Sequence, residues 1–174
     1  GLVGSEMCIR DRNNLMTNFT PNRWIFQLNP KYFDANALQD LEEVTWRVTR
    51  YKNEIKKGDT VYIWLSGQDA GIYYQCETTT SASKLLDRPP EEARYILNED
   101  GLPSSEERVR LKIKSRIKDP ISKSACLGSS KLSDLLILRQ PTATNYKITE
   151  RNHLSIQEMI KGGTELPANK EKYT

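Results

Sequence analysis

Histidine and cysteine are scarce in this 174-residue chain, which has one histidine and three cysteines. The cysteines, Cys8, Cys76 and Cys126, lie far apart and form no Cys-x-x-Cys pair. Zinc sites and disulfide frameworks need closely spaced sets of such residues, so the composition excludes most of them. Unpaired cysteines are typical of a reducing compartment, and we expect a cytoplasmic protein without a metal or other cofactor.

Long apolar runs, a strong net charge and familiar catalytic motifs are also missing. No apolar stretch approaches the roughly 20 residues of a membrane-spanning helix, so no membrane partner is expected. A net charge of +3 does not by itself indicate a polyanionic partner. There is no Gly-x-Ser-x-Gly, Walker loop or His-Glu-x-x-His. We therefore assign no catalytic residue, and we predict that His153 lies on the surface.

The first twelve residues lack the apolar centre and the small-residue cleavage site of a signal peptide. Residues 7–12, MCIRDR, resemble a translated sequencing adapter from a transposon end; the alternative is a natural disordered tail. Both interpretations predict a leader over 1–21. The length of the chain suits one domain, which we place at 22–162, followed by a polar tail over 163–174.

Runs of β-branched and aromatic residues predict strands over 23–29, 60–65, 71–77, 108–118 and 146–148. The second and third of these are predicted to be antiparallel partners. Asp34 is placed to cap a helix over 35–42, with Trp46 following in an irregular segment. Residues 84–105 are predicted to form a short helix and an exposed loop, and 132–138 fits either a helix or a strand. A last helix is predicted from the Thr149 cap to Gly162 and Gly163, with its apolar face made by Leu154, Ile156, Met159 and Ile160.

The strand over 108–118 alternates apolar and cationic residues, so one of its faces is predicted to be entirely basic. Charges on alternate residues of a strand repel each other, and salt screens this repulsion only in part. Two explanations remain open. In the first, an anionic partner covers the row; in the second, the row is a solvated face beside acidic residues of the next strand. The cations are Arg108, Arg110, Lys112, Lys114, Arg116 and Lys118.

Two of the three tryptophans lie within 44–76, together with a basic segment predicted to be helical and a strand that leads into Ser66 and Gly67. For Trp24 and Trp64, packing in a strand suffices as an explanation, and Cys76 and Cys126 are expected to be small core residues. Trp46 differs because basic residues follow it. An indole that stacks on a base contributes roughly 1–3 kcal/mol, so a nucleotide pocket around Trp46 is a reasonable hypothesis.

Four segments together resemble the EVE domain of the PUA-like superfamily, over about 22–162. They are WIFQLNP (24–30), WRVTRYKNEIKKGD (46–59), VYIWLSGQDAGIY (61–73) and RVRLKIKSRIKDPI (108–121). The resemblance implies an α+β fold with a barrel-like mixed sheet of five or six strands flanked by helices. It also implies a relationship to YTH and ASCH domains, and a reader of modified cytosine in duplex DNA that works beside a nuclease or NTPase encoded nearby.

By this resemblance a modified base is flipped out of the helix into an aromatic pocket. Trp46 matches the cage tryptophan at the end of the first helix of the family. The other implied pocket residues are Gln27, Leu28 and Asn29 at a strand end, and Trp64, Ser66 and Gly67 as second wall and floor. Arg47, Arg50 and Lys52 would contact phosphates. The Tyr73-Tyr74-Gln75 segment is bulkier than expected beyond Gly71, which affects the size of the pocket.

Two alternatives concern the substrate and the chemistry. ASCH relatives that hydrolyse modified cytidines use a Lys, Thr and Glu set, for which Lys52, Thr49 and Glu54 are the candidates here. A reader of modified RNA would differ from the first hypothesis in its substrate only.

Overall fold

The computed structural model of the chain describes residues 21–83, 90–97 and 107–165. The predicted leader up to residue 20, most of the predicted loop over 84–105, and the tail from 166 lie outside these ranges. Six strands form one sheet in the order β2-β5-β4-β3-β1-β6. They are β1 (Arg23–Leu28), β2 (Glu43–Arg47), β3 (Thr60–Leu65), β4 (Gly71–Thr78), β5 (Arg108–Ser122) and β6 (Asn145–Ile148).

Short helices occupy the connections, and a longer one follows the last strand. They are α1 (Ala37–Asp40), α2 (Pro90–Ala93), α3 (Lys123–Leu127), a 3-10 turn (Leu136–Leu138) and α4 (Glu150–Glu165). None of the helices in the described ranges is long and apolar enough to cross a membrane. The α+β prediction, with helices flanking a mixed sheet, is confirmed.

The sheet is mixed because β1 pairs with β3 in parallel, whereas its other strand pairs are antiparallel. It is also curled. Trp46 on β2 and Phe26 on β1 are separated by three strands in the sheet order, yet their ring centroids are only 6.4 Å apart. The two ends of the sheet therefore approach each other, as the barrel-like prediction requires.

Alternating side chains of β1 and β3 separate two hydrophobic cores. Trp24 and Phe26 lie in the first core cluster, which fills the inside of the curl and includes Trp46. Ile25 and Trp64 lie in the second core cluster, which α3, the 3-10 turn and α4 cover. Cys76 and Cys126 are 1% and 0% exposed, as predicted for core residues.

The helix predicted over 35–42 is shorter, and the chain around it corrects three expectations. Asp34 is not the cap of α1, because Asn36 holds the N-cap position. Asp34 Oδ1 instead accepts from the Asn36 amide at 2.9 Å, in a local turn that precedes α1. Trp46 lies within β2, not in an irregular segment or at a helix end, because β2 pairs with β5 along its whole length. The basic segment after β2 is a succession of bends and turns and not a helix.

Asp59 organises that segment from a buried position, being only 3% exposed. Its Oδ2 accepts from Trp24 Nε1 at 2.8 Å and from the Lys56 amide at 2.9 Å, while Oδ1 accepts from the Asn22 amide at 3.0 Å. Gly58 precedes it with φ +92°, a conformation that glycine adopts most readily. The Gly-Asp pair therefore anchors the turn into β3, because three donors satisfy the buried carboxylate.

Strand β5 passes through Asp119 and Pro120, where the strand was predicted to end. The pairing register with β4 is irregular before this point and resumes at Ile121 and Ser122. A bulged strand tolerates proline, which cannot donate to the ladder. Pairing beyond the bulge is close, since a Cβ on Gly71 would collide with the carbonyl oxygen of Ile121.

Acidic residues of the neighbouring strands flank the cationic row, which favours the solvated-face explanation. Arg110 lies 3.7 Å from Glu43 of β2, and Lys114 lies 3.6 Å from Glu77 of β4. The row is also not one exposed face. Arg108 is 8% exposed, and Arg116 Nε donates to the Leu38 carbonyl at 2.9 Å. No anionic partner is needed to explain the row.

Helix α4 begins as predicted, because the side chains of Thr149 and Asn152 each accept from the other residue's amide at 3.0 Å. It continues past Gly162 and Gly163 to Glu165. Two other predictions for this helix are wrong. Leu154 is 54% exposed, and His153 is 9% exposed because its ring packs against Tyr62.

Candidate functional site

A cavity of about 430 Å³ opens where the parallel strands β1 and β3 end and the curled sheet's two ends approach. Its volume falls within the usual range for small-molecule sites, roughly 300–1,000 Å³. Strand ends, loop 141–144 and helix α2 contribute to the wall. The lining residues are Gln27, Leu28, Asn29, Tyr32, Phe33, Thr45, Trp46, Arg47, Ser66, Glu92, Arg108, Pro141, Thr142, Ala143 and Thr144.

Trp46 forms part of the apolar wall. Its side chain packs in the first core cluster with Phe26, and the residue is 6% exposed. Leu28 and Phe33 from the same cluster also reach the cavity. The aromatic part of the wall is therefore fixed by packing in the first core cluster, and no ligand is needed to hold it in place.

The polar strand ends on one side of the cavity are already ordered by hydrogen bonds. Gln27 Nε2 donates to the carbonyl oxygens of Ala143 at 2.6 Å and Pro141 at 3.1 Å. The Ser66 hydroxyl and amide donate to the Leu28 carbonyl, at 3.3 and 3.0 Å. Gln27 thereby fixes the loop that borders the opening, and Ser66 fixes the adjacent strand end.

A buried charged group lines the opposite side. Glu92 of α2 is 1% exposed and accepts from the amide of Thr45 at 2.8 Å and from its hydroxyl at 3.1 Å. Arg108 donates through Nε to the Thr45 hydroxyl at 2.9 Å and through Nη2 to the Thr45 carbonyl at 3.2 Å. Thr45 thus connects a carboxylate and a guanidinium that both face the cavity.

Asn145 joins the two ends of the curled sheet beside the cavity. It is fully buried, accepts through Oδ1 from the Thr49 amide at 2.8 Å and donates through Nδ2 to the Arg47 carbonyl at 3.1 Å. Arg47 Nη2 also donates to the Thr144 hydroxyl at 2.9 Å. A side-chain amide therefore supplies a donor and an acceptor between β6 and the chain leaving β2.

Sequence reasoning missed Thr45, Glu92 and Arg108 as cavity residues, and Asn145 as a residue that orders the chain beside the cavity. Glu92 lies in a polar stretch without periodicity, and Arg108 belongs to a row of cations for which an anionic partner and a solvated face were both open explanations. The pairing register of β2 with β5 places Thr45 opposite Arg110 and next to Arg108, and Glu92 reaches Thr45 from α2. No local sequence signal carries that register.

The predicted pocket residues divide into three groups. Five of them line the cavity, namely Gln27, Leu28, Asn29, Trp46 and Ser66, and Arg47, predicted to contact a phosphate, lines it as well. Gly67 lies in an adjoining groove. Trp64 corrects the expectation of a second aromatic wall here, because its side chain points from β3 into the second core cluster and is 2% exposed.

Arg50 and Lys52 lie at exposed positions on the segment after β2 and do not line the cavity. The Arg50 guanidinium lies 5.1 Å from the Tyr51 ring centroid, and Lys52 Nζ lies 3.7 Å from Glu107. Exposed ion pairs of this kind contribute little to stability and are easily exchanged for other partners.

The residues considered for hydrolysis have separate partners. The Thr49 amide donates to Asn145, Lys52 pairs with Glu107, and Glu54 accepts from Lys147 at 2.6 Å. None of the three lines the cavity. Burial raises the pKa of the Cys76 thiol to about 12 and that of Cys126 to about 11, so neither is a thiolate nucleophile at neutral pH.

The sequence model of the EVE domain matches residues 22–159, and the chain belongs to the EVE domain family. This confirms the resemblance seen in the sequence. No curated protein sequence matches the chain significantly.

Several solved structures share the fold. A hypothetical protein from Leishmania major has a TM-score of 0.64 at 13% identity, covering 83% of this chain and 98% of that one. The human THYN1 protein, in complex with DNA containing 5-methylcytosine, has a TM-score of 0.60 at 10% identity, covering 80% and 98%. A Pseudomonas syringae protein has a TM-score of 0.60 at 16% identity, covering 79% and 99%.

Proposed function

We propose that this chain is a non-catalytic reader that binds modified bases, and specifically modified cytosine in DNA, by holding a flipped-out base in the cavity. The observation that carries the proposal is the position of Trp46, an aromatic side chain held by the core at the wall of a cavity with polar strand ends. A base must leave the duplex stack before its edge and substituents can be inspected, and an aromatic wall restores part of the lost stacking.

The polar strand ends offer complementary groups to a base edge. Asn29 Oδ1 accepts from the Lys31 amide at 2.9 Å. The Nδ2 group of Asn29 therefore points away from this amide and can donate to a base. The Ser66 hydroxyl donates to Leu28, so its lone pairs can accept. A donor beside an acceptor suits cytosine, which presents an amino group next to a ring nitrogen. The DNA that the human THYN1 structure contains makes methylated cytosine the first ligand to test.

The phosphates that flank the base would meet Arg47, Arg50 and Lys52. Arg47 borders the cavity, and the other two are on the exposed segment that follows it. Each phosphate contact adds to the salt dependence of binding. A nuclease or NTPase encoded nearby would then act on the DNA that this reader selects.

Binding of labelled duplexes that differ only in one cytosine tests the proposal. The panel contains unmodified cytosine, 5-methylcytosine and 5-hydroxymethylcytosine, each measured by fluorescence anisotropy at several salt concentrations. We expect tighter binding to at least one modified duplex. Equal affinity for all three would overturn the proposal, and competition with matched RNA decides between the two nucleic acids.

Two matched variants locate the pocket. Trp46→Leu should weaken binding to the preferred duplex by about 5- to 150-fold, since stacking on an aromatic side chain contributes roughly 1–3 kcal/mol. Trp64→Leu is the control, because it changes another buried strand tryptophan, which lies outside the cavity. The preference of Trp64→Leu among the three duplexes should equal that of the wild type. The hydrolase alternative is tested separately, by measuring acid released from an acylated cytidine.

A further inference from the structure

A second concavity of about 420 Å³ adjoins the cavity at the ends of β1 and β3. The wall of this side groove includes Lys31, Gly67, Asp69 and Tyr73. Asn29 and Ser66 line both the side groove and the cavity. The two spaces are therefore neighbours that share these residues as a boundary.

The walls of the side groove are ordered and leave its backbone accessible. The Tyr73 hydroxyl donates to the Asp69 carbonyl at 2.6 Å, which ties the β3–β4 turn back onto β4. Gly67 has φ +114°, and a Cβ built there would have no atom within 4 Å. A ligand can thus approach the backbone of this turn directly, at a position whose conformation favours glycine.

The charge of the side groove is positive where the two spaces meet. Lys31 Nζ lies 5.8 Å from the ring centroid of Tyr32, and Tyr32 lines the cavity. This places an exposed ammonium group near the boundary. Farther along, Asp69 adds a carboxylate that disfavours a phosphate, while the half-buried Tyr73 ring offers an apolar surface.

The geometry points to a binding site for the nucleotide adjacent to the one in the cavity. Lys31 would contact the phosphate that links the two nucleotides, and Tyr73 would pack against the neighbouring base or sugar. The recognised unit is then a dinucleotide at least, and the identity of the flanking nucleotide affects affinity. This inference rests on the proposed function, since it requires a base in the cavity.

Affinities for a nucleoside and for dinucleotides test the inference. The probes are the preferred modified nucleoside, without a phosphate, and dinucleotides that carry the same modified nucleoside with a flank on its 5′ or its 3′ side. We expect one dinucleotide to bind at least about 5-fold more tightly than the nucleoside. Lys31→Ala and Tyr73→Ala should each lower this ratio towards 1 while leaving the affinity for the nucleoside unchanged.

Two control variants separate the roles of charge and ring. Lys57→Ala removes an exposed lysine beyond the opposite end of β3 and should preserve the ratio. Tyr73→Phe loses the bond to Asp69 but keeps the ring, so it should retain most of the ratio. Because Lys31 is exposed, its variant tests the inference even if Tyr73→Ala proves unstable.

Two failures can be told apart. If the nucleoside and the dinucleotides show no preference for the modification, the proposed function fails, and the inference fails with it. If the modification is preferred but the ratio is about 1, or persists in Lys31→Ala and Tyr73→Ala, the inference alone is overturned.

Discussion

The two core clusters differ in how they are closed, although the same strands contribute to both. The second core cluster is covered by α4, with Ile156 fully buried against it. The first core cluster lies inside the curl of the sheet and ends at the cavity, whose wall includes Trp46. Trp46 and Trp64 are 6% and 2% exposed, so burial alone does not distinguish the tryptophan at the cavity from the structural one.

The two clusters differ because the curled sheet is not closed by backbone pairing between β6 and β2, which is where the cavity lies. Between β6 and the chain leaving β2, Asn145 supplies side-chain hydrogen bonds at a point where a closed barrel would have a continuous ladder. The same region holds the buried Thr45, Glu92 and Arg108. Polar groups concentrate at the incomplete end of the curl because backbone and side-chain groups there still need partners.

Trp64→Ala should produce the largest loss of stability, about 3–5 kcal/mol of unfolding free energy, because it opens a void in the second core cluster. Denaturant unfolding measures it, with Leu154→Ala as control at a 54% exposed position where the change should stay within about 0.5 kcal/mol. At temperatures where the variant is folded, its preference among modified duplexes should match the wild type. A changed preference would make the second core cluster part of the site.

Asn145→Leu should cost less, about 1–3 kcal/mol, because the Thr49 amide and Arg47 carbonyl lose their buried partner. Hydrogen exchange at the Thr49 amide should accelerate more than exchange in α4. Affinity for the preferred duplex should fall as well, since Arg47 and Thr144 border the cavity.

Thr144→Val is the graded control for that variant, because it removes only the acceptor of Arg47 Nη2. Its effects on stability and affinity should both be smaller. Unchanged exchange at Thr49 in Asn145→Leu would show that the sheet's ends are held together by other contacts.

The sequence predicts the strands well because their evidence is local. The apolar run over 60–65 coincides with β3, and the 23–29 strand exceeds β1 by one residue. Elements whose form depends on distant partners are predicted poorly. Trp46 becomes part of a strand only by pairing with β5, and the helix near Asp34 is cut short because the chain must enter β2.

The cavity is predicted only in part, for the same reason. Gln27 to Asn29 and Ser66 adjoin predicted strand ends, so the family pattern could indicate them. Side chains alternate between the two faces of β3, and that of Trp64 points into the second core cluster. Matching Trp64 to a position in the family motif does not reveal this direction. Glu92 and Arg108 meet at Thr45, and Asn145 meets the chain leaving β2. These partners are distant in sequence, so their spacing carries no trace of the contacts.

Titration of His153 should give the smallest effect, a pH dependence of stability that arises at the second core cluster and not at the cavity. Its Nδ1 lies 2.7 Å from the Tyr62 hydroxyl, and Gln157 Nε2 donates to that hydroxyl at 2.6 Å. Burial, and secondarily Arg23, lower the pKa of His153 from its ordinary 6.5, against an opposing contribution from Glu150. The unfolded chain therefore takes up a proton at a higher pH than the folded protein.

Stability should consequently be greatest above pH 6.5 and decline as the pH falls below that value, until the folded-state pKa is passed. Denaturant unfolding at pH 7.5 and 5.5 measures the decline. His153→Gln should remove most of it, because this is the chain's only histidine and carboxylates titrate mainly at lower pH. An equal decline in the variant would contradict the assignment. The preference among modified duplexes should not change between pH 7.5 and 5.5. His153 packs against Tyr62 of the second core cluster and does not line the cavity.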